Sequence, residues 1–167
     1  MSGILSDNTG RASGLLKATV AGVGGTKAFY AYQDSNSSAM SNTTNNEIVY
    51  SHERHDVDGV YNTSTGRYTP GIVGTYFVTA SMTVNDMNGT GDDMYFKFFM
   101  NGSTSTTWGS TRYVGSGGGP PFSRIAASAV IITTSTSDYI SAWCYHDAGN
   151  DRLWQGGESS FSGFRLS

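Results

Sequence analysis

The densest group of side chains able to do chemistry is His52-Glu-Arg-His-Asp56. Two imidazoles beside two carboxylates could hold a metal, because zinc takes nitrogen and oxygen donors. On a strand, however, an i, i+3 spacing sends His52 and His55 to opposite faces of the pleat. The cluster therefore reads as a solvated strand edge. Asn85-Asp-Met-Asn-Gly-Thr-Gly-Asp-Asp93 is rich in the hard oxygen ligands that calcium favours. It lacks the spacing and the closing Glu of a calcium loop, so a plain turn is expected. Gly22-Val-Gly-Gly-Thr-Lys27 has the glycines of a phosphate loop, but Ala28 follows the lysine where Ser or Thr is needed, and no α/β pattern surrounds it. A serine nucleophile needs a histidine and a carboxylate converging on it, and none of His52, His55 or His146 sits in a recognisable nucleophile context. The expectation is a chain without catalytic residues, metal or cofactor.

Binding chemistry is better represented. Trp108 and Trp154 lie beside glycine-rich loops, where indole rings could stack on the sugars of a surface glycan at low entropic cost. Packing is the plainer expectation for both rings. With Asp147 they mark the candidate ligand loops, near Trp108, 115–121 and 147–157.

The elements that must position these residues read as strands. In Gly74–Val84, residues Tyr76, Val78, Ala80, Met82 and Val84 share one face, while Thr75, Thr79, Ser81 and Thr83 share the other and Phe77 alone breaks it. Lys27–Tyr32, Glu47–Tyr50, Ser123–Thr134, Tyr139–Tyr145 and Phe161–Leu166 follow strand patterns, and Val60–Tyr61 with Arg67–Tyr68 suggests a hairpin. Met94–Met100 is apolar on both faces apart from Lys97. An Asn101-Gly102 turn of the kind that favours tight hairpins follows it, with Ser103–Val114 as the returning strand.

Composition agrees. The 167 residues fit one domain and include 22 glycines and 13% aromatics, which suits short strands joined by polar turns. Only 14% of residues are charged and the net charge is -3, so no basic field exists to attract nucleic acid. No apolar run is long enough for a membrane span. Cys144 is the single cysteine, which excludes an intrachain disulfide. The amino end lacks the pattern of a secretory leader. The five Asn-x-Ser/Thr sites, at Asn36, Asn42, Asn62, Asn88 and Asn101, are accordingly read as turn chemistry.

The fold class expected is all-β: a two-sheet antiparallel jelly-roll sandwich of about eight to ten strands. In Tyr139–Tyr145, Ile140, Ala142 and Cys144 face one side, and Tyr139, Ser141, Trp143 and Tyr145 the other. If the first set fills the core, the second could meet copies of itself, with Phe96, Phe98 and Met100 contributing.

Five stretches occur in order: Tyr61-Asn-Thr-Ser-Thr-Gly-Arg-Tyr-Thr-Pro70, Gly74-Thr-Tyr-Phe77, Phe98-Phe-Met-Asn-Gly102, Ser137-Asp-Tyr-Ile140 and Ser160-Phe-Ser-Gly-Phe-Arg-Leu166. Their order and spacing resemble the globular head of the complement component q and tumour necrosis factor superfamily, over roughly residues 27–167. The resemblance implies a ten-stranded jelly roll, assembly as a homotrimer, recognition through exposed loops and no reaction chemistry. The collagen-like stalk common in that family is missing.

Residues 1–26 read as an extended arm. Its apolar pairs Ile4-Leu5 and Leu15-Leu16 would lose free energy if left bare, which makes them candidate anchors on a partner. The arm resembles the amino ends of tailed-phage virion proteins. That likeness implies a non-enzymatic fibre or capsid-decoration trimer, assembled in the host cytoplasm, located on the virion and attached to other virion proteins through the arm. The alternatives are a receptor-binding module for a host-surface glycan or protein, and a secreted complement-like recognition lectin.

Overall fold

A computed structural model gives the fold and describes residues 26–37, 39–118 and 121–167. The candidate anchors Ile4, Leu5, Leu15 and Leu16 and the glycine run Gly22–Gly25 lie outside the described residues. Eleven strands follow one another: β1 Phe29–Gln33, β2 Asn45–Glu47, β3 His52–His55, β4 Tyr61–Asn62, β5 Arg67–Tyr68, β6 Gly74–Asn85, β7 Thr90–Met100, β8 Trp108–Ser116, β9 Phe122–Thr133, β10 Ile140–Asp147 and β11 Ser159–Arg165. Among the described residues there is no helix, and none long and apolar enough to cross a membrane.

The strands form two antiparallel sheets. One runs β3-β1-β11-β6-β9, and the other runs β4-β5-β10-β7-β8 with β2 added beside β10. Strands distant in sequence lie side by side, as when β1 pairs with β11 and β10 with β7, which is the jelly-roll arrangement expected. The long strands each turn one row of side chains inward. Tyr76, Val78, Ala80, Met82 and Val84 of β6 are all buried, as their alternation demands.

Aromatic rings dominate the core. Phe29 lies flat on Tyr61 at 4.9 Å and edge-on to Phe161 at 4.8 Å, and Phe98 stacks on Phe161 at 5.8 Å. Fully burying an apolar side chain contributes roughly 1.5–3 kcal/mol. Gly163 keeps this region closed, since a Cβ there would stand 3.0 Å from both Phe29 and Val78.

Two local expectations change, each for a physical reason. The strand expected at Glu47–Tyr50 is shifted to Asn45–Glu47. Beyond it the buried Tyr61 hydroxyl accepts from the Tyr50 N–H and donates to the Tyr50 carbonyl, both at 3.1 Å, so a side chain replaces ladder bonds. The Asn101-Gly102 turn forms, with φ of 56° and 66° and the Ser103 N–H on the Met100 carbonyl at 3.0 Å. It closes no tight hairpin, because β8 starts only at Trp108, opposite Phe98. Asn101 instead bonds to Asp138 and accepts from the Tyr139 N–H at 3.0 Å, which ties the turn to the β9–β10 connection.

The expected β4–β5 hairpin forms, with Tyr61 opposite Tyr68 and Asn62 opposite Arg67. Gly66 takes φ 73° there, and a Cβ would come within 2.6 Å of the Ile48 carbonyl, so the turn requires glycine.

Candidate interaction surfaces

The reactive side chains are dispersed. His52–His55 forms the edge strand β3, and His146 is fully buried with Nε2 3.1 Å from the Met40 carbonyl. In the Asn85–Asp93 loop the Asp92 carboxylate accepts from the Gly89 N–H at 2.8 Å and Asp93 pairs with Arg112, which makes it a turn closed on itself. No group of three or more His, Cys, Asp or Glu that could hold a metal occurs among the described residues.

One arrangement was invisible in the sequence. Ser51 Oγ lies 2.9 Å from His52 Nδ1, and His52 Nε2 lies 3.3 Å from Asp34. The order is that of a hydrolytic triad, but the roles do not fit. Gln33 Oε1 accepts from the Ser51 N–H at 3.1 Å and lies 2.9 Å from the Ser51 hydroxyl, so it competes with the ring nitrogen for the single proton that a general base must receive. The group also stands at an exposed sheet edge.

The expected trimer face divides. Phe96, Phe98 and Met100 sit opposite Cys144, Ala142 and Ile140 of β10, and all three pairs turn inward. Phe96 and Phe98 are fully buried, so their assignment to an interface is corrected: the protomer's own core consumes them, while Met100 is half-buried and packs against the same core. Tyr139, Trp143 and Tyr145 do face outward and are half-buried. Trp143 donates to Ser141 Oγ at 2.8 Å and lies 5.4 Å from the Phe99 ring, which explains how an outward-facing phenylalanine is 1% exposed.

This outer face of the six-stranded sheet carries alternating rings and charges. Tyr145 stands beside Tyr95 with centroids 6.0 Å apart, and the Lys97 ammonium lies 5.4 to 6.0 Å from the rings of Phe99, Tyr95 and Tyr145. Burial lowers the Lys97 pKa from its ordinary value. Arg112 grips Asp93 through two bonds of 2.8 and 2.7 Å, and that pairing, chiefly its hydrogen bond, lowers the Asp93 pKa. Arg67 covers the Tyr139 ring at 4.3 Å. A depression of about 390 Å³ opens between Asn45, Asp93, Tyr95, Lys97, Tyr145 and Asp147.

The candidate ligand loops fare unevenly. Trp154 is 4% exposed, edge-on to Tyr50 at 5.3 Å and bridged to Val84, so its proposed role as a stacking plate is corrected. Trp108 is half-buried against the core, its indole nitrogen enclosed without a partner, so packing occupies this ring too. Asp147 is exposed and lines the depression.

The uncovered apolar surface is on the other sheet. Val130 and Ile132 of β9, Phe164 of β11 and Leu166 beyond it are 53%, 56%, 44% and 52% exposed. Register makes them neighbours: Phe77 lies between Val130 and Phe164, and Thr75 is opposite Ile132. Further along the same face come Thr79, Ser128 and Ser162, then Ser81, Ala126 and Ser160, then Thr83 and Arg124. Two signals were available in the sequence, the run Val130-Ile131-Ile132, which must leave one apolar face outward, and Phe77 on an otherwise polar face.

The structure resembles several solved ones. The globular domain of zebrafish complement 1qA protein superposes with a TM-score of 0.59 at 15% identity, over 85% of this chain and 98% of that one. Eiger TNF from S. frugiperda gives 0.60 at 12% identity, over 85% and 93%. This is the fold of the complement 1q and tumour necrosis factor heads. Murine APRIL gives 0.60 at 12% identity, over 83% of this chain and 98% of that one. No protein-family model and no curated protein sequence matches the chain. At these identities the likeness concerns the fold.

Proposed function

We propose that this chain is a non-catalytic head that works as a homotrimer, packing the outer face of its five-stranded sheet against two further copies. The observation that carries this reading is the bare cluster of Val130, Ile132, Phe164 and Leu166 around Phe77. Contiguous exposed apolar patches on soluble proteins mark contact sites, and identical chains meet through closed symmetry. The number three comes from the head-domain resemblance. Native mass spectrometry of the full chain tests it: the expected mass is that of three 17.8 kDa protomers, and a lone protomer at micromolar concentration would contradict it.

The wider setting we assign is a phage particle, with the head projecting as a fibre or capsid decoration and the virion as its location. That assignment rests on the residues of the arm, Ile4-Leu5 and Leu15-Leu16. Deleting residues 1–20 is expected to abolish attachment to particles and leave a soluble assembly, and retained attachment would refute the anchor.

A second reading is favoured by a separate observation. With the five-stranded sheet turned inward, the ring-and-charge face of the six-stranded sheet points outward, where it would serve recognition of a host surface. Purified protein that fails to bind susceptible cells would count against it.

A further inference from the structure

The depression on the six-stranded sheet holds a specific set of unused groups. The Lys97 ammonium sits among three rings, and no hydrogen-bond acceptor or carboxylate partners it among the described residues. The Asn45 side-chain oxygen, opposite Tyr145 on β2, is enclosed without a donor. An unpaired acceptor in the wall of a depression favours a ligand that brings a donor within its reach. Asp147 adds an exposed carboxylate at one end, and Tyr95 and Tyr145 supply the walls. At about 390 Å³ the space lies in the range of ligand sites, roughly 300–1,000 Å³.

The charges narrow the ligand class. Two acidic side chains beside tyrosines could suggest a cation, but the Lys97 ammonium already stands beside these rings and Arg112 already pairs with Asp93. With Lys97 and Arg112 opposing Asp93 and Asp147, the locality is close to neutral. An anion would meet Lys97 but also the carboxylate of Asp147. The remaining demand is for a ligand with many hydroxyls, able to accept from Lys97 and donate to Asn45 and Asp147, with apolar C–H faces to lie on a ring. Those are the properties of a pyranose.

We propose that the Tyr95–Tyr145 depression of the six-stranded sheet is a binding site for a neutral glycan. The inference rests on the recognition reading above and is independent of self-association, since the two sheets present opposite faces. It moves the sugar site away from Trp108 and Trp154, whose rings are committed to packing.

The test uses the full chain on immobilised neutral and acidic oligosaccharides, followed by titration calorimetry with the best neutral binder. Binding of a neutral oligosaccharide is expected, weakened by about tenfold or more in Tyr145→Ala and Asn45→Ala. Tyr145→Phe, which keeps the ring, is expected to retain binding, as is Val57→Ala, at an exposed residue that does not line the depression. Both controls and the circular-dichroism spectrum separate a lost site from a lost fold. Binding only to acidic sugars, or neutral binding unaffected by Tyr145→Ala and Asn45→Ala, overturns the assignment. Cell attachment that survives periodate treatment and is unaffected by Tyr145→Ala would also overturn it while leaving recognition itself standing.

Discussion

Replacing Phe98 by alanine distinguishes a core role for β7 from an interface role. Phe98 is fully buried, stacks on Phe161 at 5.8 Å and 28°, lies 6.4 Å from Phe96, and faces inward with Ala142 beside it. Truncating a buried phenylalanine to alanine costs about 3–5 kcal/mol, because the transfer free energy of the ring is lost and the cavity relaxes only in part. Against a total stability of roughly 5–15 kcal/mol, that removes a fifth of the margin at the least. With a urea slope near 2 kcal/mol/M, the unfolding midpoint should fall by about 1.5–2.5 M at unchanged slope. Wild type and variant must be compared at one protomer concentration, since assembly itself adds apparent stability. A midpoint lowered by less than about 0.5 M, together with a native mass reduced to one protomer, would refute the reasoning and return Phe98 to an interface.

Two further experiments probe the described chemistry. Burial pushes the Cys144 thiol up to about 12, with Lys97 opposing in part. Against an ordinary thiol near 8.5, native labelling by a maleimide at pH 8 should be slower by roughly a thousandfold and should recover in denaturant; rapid native labelling would contradict the burial. Asp138 accepts from Asn101 and from the Thr134 and Ser135 N–H groups, and these bonds, Asn101 first, lower its pKa. A carboxyl whose folded pKa lies below its unfolded value stabilises the fold above the unfolded pKa, near 3.9, and loses that contribution as pH falls through the folded one. Asp138→Ala should therefore cost on the order of 2 kcal/mol at pH 7, and the gap to wild type should narrow below about pH 4 in acid-unfolding curves. A gap constant down to pH 2 would contradict the ionised role.

Local alternation carried much of the fold. β6 was legible because Tyr76 to Val84 obeys the two-residue period without interruption, and the β4–β5 hairpin because Asn62 to Gly66 is turn chemistry. Asn62 indeed accepts from the Ser64 and Thr65 N–H groups. What failed were contacts that spacing cannot encode. Trp154 lies among glycines and polar residues, which suggested an exposed loop, yet the bridge to Val84 and the Gln155 N–H on the Thr83 carbonyl at 2.7 Å draw it inward. The doubly apolar β7 was visible, but its outward Phe99 is covered from the neighbouring strand by Trp143, so no second layer or second chain is needed there. The inward direction of Phe96 and Phe98 follows from their register with Cys144 and Ala142, a pairing between strands some forty-five residues apart. The face left bare carries its own signal in Val130-Ile131-Ile132, of which only Ile131 turns inward.

The self-association of the five-stranded sheet is tested most directly by sedimentation velocity on the double variant Val130→Lys, Ile132→Glu. Both side chains point outward and lie about half exposed, so a lone protomer would tolerate the change with its circular-dichroism spectrum intact. The expected result is a trimer for wild type and a folded protomer for the variant, since burying either charge against another copy without a partner is prohibitive. A variant that sediments as wild type, or a wild type that is already a single protomer, would contradict the account.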